Sequence, residues 1–331
     1  MRRVLLDTDL AMGAPGSDID DGFALALALA DPELSVEMVT TVNGNTDVDT
    51  ATRLSKELLD RLDRTDIAVA RGAGSALTPP PTTTPTQPSA GAAAGHAAAR
   101  VATPTDEVAA AALVRRILAE PGELTIVAIG PLTNVALALS IEPAIAQQVK
   151  SIMVMGGVFL EQTNVAAMPG EFNIWTDPVA AALVLASGAQ LRFVGLDVTR
   201  RVRLSREHAA ALESAGGDFG RFAAACTRDW ITHLECTLPG DPREQGSCAL
   251  HDPLAVAAVS RPDLITWQAA HVRVETRSEL TRGVTIADLL SSDRPPEKNC
   301  EIATAVDVDG FIALFLNRMA TLSALTRQPR R

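Results

Sequence analysis

The chain has 331 residues, of which 47% are hydrophobic, and a formal net charge of −11. That length is enough to bury a large core, and that apolar share excludes an intrinsically disordered protein. The acidic balance, with no lysine- or arginine-rich block, excludes a nucleic-acid polymer as the main partner, because such binding neutralises phosphates with cationic side chains.

Met1-Arg2-Arg3 carries the charge of a secretory leader's start, but Asp7 and Asp9 interrupt the apolar run after Leu6. No segment reaches the roughly 18 uninterrupted apolar residues of a membrane span, so a soluble, cytoplasmic protein is expected. In chain order, residues 4–6 read as a strand ending in acids, 22–30 as a helix and 36–42 as a second strand. Helices are expected over 48–62 and 108–119, and strands over 67–70 and 124–129. A helix opens at 131–139, followed by a strand at 151–155, a helix at 178–187 and a strand at 191–194. Trp230 and His233 fall on a later helix. Cys226, Cys236, Cys248 and Cys300 have no metal-like spacing and are expected as reduced thiols.

This alternation predicts an α/β fold: a Rossmann-like, open, mostly parallel sheet with helices on both faces, in a single large domain covering 1–331. Ligands of such sheets bind beyond the carboxyl ends of the strands, which puts Asp7, Asp9, Asn43, Asn45, Gly130, Thr133, Gly156 and Asp197 on one rim. Residues 78–105, rich in Pro, Thr, Ala and Gly, lack periodicity and are expected as a flexible loop, with a domain linker as the alternative.

Asp7-Thr8-Asp9, then Asp18, Asp20 and Asp21, is the most informative stretch. Carboxylates this close repel one another and raise one another's pKa unless a cation neutralises them. A solvated surface loop is the plainer alternative, weakened by the apolar flanks. Oxygen-only ligands favour a hard cation such as Ca²⁺ or Mg²⁺ over zinc.

Here the sequence resembles the inosine–uridine-preferring nucleoside hydrolase family, which opens with a strand and an Asp-Thr-Asp-Pro-Gly-x-Asp-Asp stretch. Asp7-Thr8-Asp9 and Asp20-Asp21 match its two ends. Thr41-Val42-Asn43-Gly44-Asn45, Gly130-Pro131-Leu132-Thr133-Asn134 and Met155-Gly156-Gly157 follow in family order. So do Asn164, Glu171-Phe172-Asn173, Asp177-Pro178, Leu196-Asp197-Val198-Thr199 and His251-Asp252-Pro253. The likeness runs from Val4 to about Met319; each short match is weak alone, and the shared order is strong.

The resemblance implies hydrolysis of the N-glycosidic bond of ribonucleosides to free base and ribose. It implies Ca²⁺ held by Asp9, Asp21, Asp252 and the backbone carbonyl of Thr133, with Asp9 also the general base for a Ca²⁺-bound water. Asp7 would orient its neighbours, and Asp20, Asn45, Asn164, Glu171 and Asn173 would grip the ribose with Met155 packed beneath it. Positive charge builds on the ribose in such a reaction, so carboxylates nearby lower the barrier. His251, beside Asp252, is the candidate acid for the departing base. A homodimer or homotetramer acting on a small nucleoside is the implied assembly.

The chain departs from the family pattern at residues 10–19, longer than the usual link, which are expected to bulge at the metal rim and either to narrow the sugar pocket or to add a contact from Asp18. His96 lacks the following glycine of the family's His-Gly motif, and no tyrosine is present to contact a base. Trp230 could stack on a purine or simply pack, and Trp175 could pack likewise. Two other functions remain open at this stage: a non-catalytic nucleoside or sugar binder, and a phosphatase using Asp7 or Asp9 as nucleophile, which would need a phosphate-binding lysine.

Overall fold

In the computed structural model, residues 1–80, 107–161, 167–290 and 293–325 are described. The strands are β1 (Arg2–Thr8), β2 (Leu34–Thr41), β3 (Val69–Arg71), β4 (Leu124–Ala128), β5 (Ser151–Met155), β6 (Leu191–Val194), β7 (Arg203–Ser205), β8 (Ser247–Ala249), β9 (Ile265–Val274), β10 (Thr285–Asp288) and β11 (Cys300–Val306). The helices are α1 (Asp20–Ala30), α2 (Val48–Arg61), α3 (Ala109–Ala119), α4 (Thr133–Ile141), α5 (Ile145–Gln148) and α6 (Phe172–Thr176), then α7 (Pro178–Leu185), α8 (Leu196–Thr199), α9 (Arg206–Ala215), α10 (Gly217–Thr237), α11 (His251–Ser260) and α12 (Val308–Leu325).

Nine strands form one sheet in the order β10-β9-β11-β6-β5-β4-β1-β2-β3. The seven from β11 to β3 are parallel; β9 pairs antiparallel with β11, and β10 antiparallel with β9. The central strands are apolar along their length, with every residue of β4 buried, because a sheet covered on both faces leaves no side for water. One core packs α1, α10, α11 and α12 on one face, around Phe23, Phe219, Phe311 and Phe315. The other packs α3, α4 and α7 on the opposite face, around Leu113, Val135 and Val184.

The strand order reverses between β1 and β4. In doubly wound sheets that reversal opens a crevice at the carboxyl ends, because the connecting helices leave on opposite faces. Asp7 and Asp9 close β1 at this point, and Ile129 N donates to Asp7 O at 2.8 Å, extending the ladder to the crevice edge.

Residues 10–19 form a turn beside the acid cluster, with Gly13 and Pro15 exposed and Asp18 lining the same cavity as Asp20 and Asp252. Leu10, Ala11, Met12 and Ile19 are buried, and Ser17 Oγ donates to the carbonyls of Ala11 and Ala14, each at 2.6 Å. A methyl group at Gly13 would lie 3.3 Å from Phe222 of α10, so the turn packs against that helix. Apolar side chains at Leu10, Met12 and Ile19 drive this burial. The expected loop over 78–105 lies, apart from its first three residues, outside the described residues, as does His96.

Candidate active site

Asp20 and Asp21 occupy the first turn of α1, and Asp252 the first turn of α11. Helix amide dipoles favour anions there, which is the local reason acids sit at these starts. Asp20, Asp21 and Asp252 each offer a carboxylate oxygen within 4.8 Å of the others, and all three are buried. Two full charges at that spacing repel by roughly 3–4 kcal/mol at an effective dielectric near 20. Three such pairs match the whole stability of an ordinary domain, so protons or a cation must neutralise them. Without a cation, burial and mutual repulsion push Asp9, Asp20 and Asp252 well above the usual carboxylate range. Burial raises Asp21 to about 6.

Asp9 stands beside this group, buried between two glycines. A methyl group at Gly44 would fall 2.8 Å from its carboxylate carbon, and one at Gly130 would fall 2.8 Å from its Oδ1. Asn45 joins the two acids: its backbone N–H donates to Asp9 Oδ2 at 2.6 Å and its Nδ2 to Asp21 Oδ2 at 2.9 Å. Thr8 Oγ1 donates to Asp21 Oδ1. Asp9 Oδ1 is buried with no partner among the described residues. An orphaned carboxylate oxygen beside three crowded acids suits a hard, oxygen-seeking divalent cation. Thr133 opens α4 and spends its hydroxyl on Asp177 Oδ2 at 2.7 Å, so only its backbone carbonyl remains for the expected ligand role.

Asp7 turns away from the crevice. Its Oδ1 accepts from Thr40 Oγ1 at 2.5 Å and Asn134 Nδ2 at 2.7 Å, and burial lifts it to about 6. Asn134 also donates to Thr41 O at 2.9 Å and accepts from Ala73 N at 2.9 Å, bracing three segments behind the acids.

A cavity of about 240 Å³ opens above the cluster. Asp20, Asn45, Met155, Glu171, Asn173, His251 and Asp252 line it, bringing together most of the residues marked in the sequence. Asn164 lies outside the described residues. Asp18 lines the same cavity, with its Oδ1 accepting from Ile19 N at 2.6 Å. Glu171 caps α6: its two oxygens accept from the backbone amides of Asn173, Ile174 and Gly157 at 2.9–3.1 Å. Asn173 Nδ2 donates to Ile129 O at 2.9 Å and Met155 O at 3.2 Å. Asp197 accepts from the amides of Phe159, Leu160 and Glu161, so it braces a loop at the rim without lining the cavity.

His251 Nδ1 pairs with Thr199 Oγ1 at 2.7 Å. Burial, then the charges of Arg200 and Arg203, push the imidazole down to about 3, so it is neutral near pH 7. Trp230 lines the cavity and stacks on His233 with ring centroids 5.3 Å apart, whereas Trp175 is buried beside Arg282. Arg200 and Glu244 also line the cavity and were not marked in the sequence. Arg200 directly follows the Leu196-Asp197-Val198-Thr199 motif, which could have drawn notice; Glu244 carries no such signal. Among the described residues no lysine lines the cavity.

A family model for the inosine-uridine preferring nucleoside hydrolase matches residues 4–313, and the chain belongs to that family. It is 33% identical to the pyrimidine-specific ribonucleoside hydrolase RihA of Salmonella newport, over 96% of this chain and 97% of that protein. It is 34% identical to the non-specific ribonucleoside hydrolase RihC of Salmonella schwarzengrund, over 93% of this chain and 94% of that protein. Among solved structures, the purine-preferring ribonucleoside hydrolase from Gardnerella vaginalis superposes with a TM-score of 0.85 at 29% identity, over 98% and 100% of the two chains. The chain is accordingly a nucleoside hydrolase, with a mostly parallel sheet of the family's kind and an aspartate cluster able to hold a metal.

Proposed function

We propose that this enzyme hydrolyses ribonucleosides to free base and ribose with Ca²⁺ held by Asp9, Asp21, Asp252 and the Thr133 carbonyl. The observation that carries this reading is the convergence of Asp9, Asp20, Asp21 and Asp252, from opposite ends of the chain, beneath a cavity that His251 also lines. Asp20 belongs to the same crowded group and also lines the cavity, so it could serve either the metal or the sugar. Ca²⁺, when bound, neutralises these carboxylates and lowers the pKa of a coordinated water.

The protein's own groups divide the remaining work. Asp9 Oδ1, buried and unpartnered, accepts a proton from the attacking water. Asp20, Asn45, Asn164, Glu171 and Asn173 hold the ribose, with Met155 beneath it. Asn173 spends its amide hydrogens on backbone carbonyls, so its Oδ1 is the atom offered to a sugar hydroxyl. Glu171 keeps a buried negative charge under the cavity through three backbone amides, and that charge stabilises a ribose becoming cationic. His251 is neutral; in the tautomer whose Nδ1 accepts from Thr199, Nε2 carries the hydrogen and donates to the departing base.

The free cysteines among the described residues support action in the reducing cytoplasm, and assembly as a homodimer or homotetramer belongs to the same reading. The test is a turnover panel of common ribonucleosides, with and without chelator. Release of base and ribose, abolished by chelation and restored by Ca²⁺, supports the proposal; tight binding without turnover refutes it.

A further inference from the structure

Glu171 caps α6 and Asn173 lies on it, and both line the cavity, yet α6 is a helix of only five residues. A helix of fewer than two turns is not self-supporting, because most of its terminal N–H and C=O groups have no partner within it. What fixes the direction of these two side chains must come from outside the helix.

At the start of α6, the Glu171 carboxylate takes the amides of Asn173 and Ile174. At its end stands Arg282, which is 7% exposed and lies between β9 and β10, on the antiparallel edge of the sheet. Arg282 Nε donates to Trp175 O at 2.8 Å and its Nη2 to Thr176 O at 3.0 Å, the last two carbonyls of α6. The same Nη2 donates to Thr78 O. The nearby charge of Asp177 offsets part of the cost of burying this cation. Asp177 in turn accepts from Leu77 N at 2.8 Å and Thr133 Oγ1 at 2.7 Å, so arginine and aspartate together fasten residues 77 and 78 to the end of α6.

The residues around Arg282 press on the same helix. A methyl group at Gly283 would fall 2.5 Å from Trp175 Cα, and one at Gly170 would fall 2.5 Å from the Gly283 carbonyl carbon. The turn between β9 and β10 therefore lies against residues 170 and 175, which flank Glu171 and Asn173. On β10, Thr285 Oγ1 donates to Val158 O at 2.5 Å and accepts from Val158 N at 3.1 Å. Val158 follows Gly157, whose amide binds Glu171 at 3.1 Å.

From this placement, and resting on the ribonucleoside-hydrolase reading above, we infer that Arg282 is a positioning residue that locks the far end of α6 and so aims Glu171 and Asn173 at the ribose. Arg282 itself does not line the cavity and acts only through the helix it holds. Its planar fork reaches three carbonyls at once, which the single ammonium of a lysine does not reproduce.

The test compares wild type, Arg282→Met and Arg282→Lys by thermal melt and by kcat and KM. The substrates are inosine or uridine, whichever wild type turns over faster, and its 2′-, 3′- and 5′-deoxy forms. Arg282→Met loses roughly 10- to 100-fold in kcat/KM on the ribonucleoside, the scale expected when a group in the site moves by about 1 Å. The loss shrinks to about threefold or less on at least one deoxy form, because an absent hydroxyl cannot be held wrongly; a general structural defect slows all four alike. Arg282→Lys retains part of the lost turnover. Equal losses on all four substrates, or Arg282→Met turnover within about threefold of wild type, overturn the inference and leave hydrolysis standing. If Arg282→Met does not melt cooperatively, Arg282→Lys is judged by the same criteria; if neither does, Arg282 serves folding alone and the inference falls. If wild type turns over neither ribonucleoside, the hydrolase reading fails on its own. Calorimetry with D-ribose then decides the role of Arg282: binding weakened roughly tenfold or more in Arg282→Met upholds it, and equal or absent binding overturns it.

Discussion

Gly44→Ala is the substitution whose effect follows most directly from the geometry. The added methyl carbon would fall 2.8 Å from the Asp9 carboxylate carbon and 2.9 Å from Pro131 Cδ. The methyl would overlap Asp9 Oδ2 more closely still, so to restore ordinary contact the carboxylate must retreat by about 1 Å or more. Retreat is blocked on its other side by the Gly130 backbone, where an added Cβ would stand 2.8 Å from Asp9 Oδ1. The carboxylate therefore rotates or carries its backbone with it, and the 2.6 Å bond from Asn45 N is lost. A displacement near 1 Å of a reacting group costs on the order of 100-fold in rate, or about 2.7 kcal/mol of barrier. Losing one hydrogen bond to a charged group costs about 1.5–3 kcal/mol of stability, which a large domain survives. Steady-state turnover of inosine and uridine, read beside a thermal melt, separates the two effects. Gly240→Ala, where an added methyl meets nothing within 4 Å, is the control. Turnover of Gly44→Ala within threefold of wild type would show that the position of Asp9 does not govern the reaction.

Three other outcomes are expected. Asp9→Ala loses nearly all turnover, at least 1,000-fold, while its melting profile stays cooperative; near-normal turnover would remove it as the base. His251→Ala slows inosine more than p-nitrophenyl riboside, whose leaving group needs no donor, and equal slowing of both would end its role toward the base. In the cation-free protein Asp7 and Asp21 sit at about 6, and burial and mutual repulsion raise Asp9, Asp20 and Asp252 well above the ordinary carboxylate value of about 3.9 in an unfolded chain. The folded state thus holds extra protons above about pH 4, and the stability they confer is lost as pH rises through 6. Chelated protein should melt on the order of 5 °C higher at pH 5 than at pH 7.5, and Ca²⁺ should raise the melting temperature more at pH 7.5; equal melting of the chelated protein at both would refute this.

The parallel core was legible because buried parallel strands are short apolar runs. Residues 151–155 and 191–194 coincide with β5 and β6. α1 begins two residues earlier than expected and takes Asp20 and Asp21 into its first turn. The antiparallel edge was not legible: only three of the ten residues of β9 are buried, in no regular alternation, so no period marks it. Within the site, the acids and His251 stood out by type and order. Their braces did not, because Thr40 and Asn134 reach Asp7 across 33 and 127 residues and no local pattern encodes such contacts. The packing of the turn over residues 10–19 was not legible for a related reason, since Gly13 meets Phe222 of α10, far along the chain.

The backbone N–H of Asp252 donates to Asp20 Oδ2 across 232 residues. Closing so long a loop is entropically costly until the intervening sheet has formed. During synthesis, a nascent polypeptide that has not yet emerged as far as α11 has one wall of the acid pocket missing. A fragment that ends before α11 lacks both Asp252 and His251, and with them that wall of the cavity.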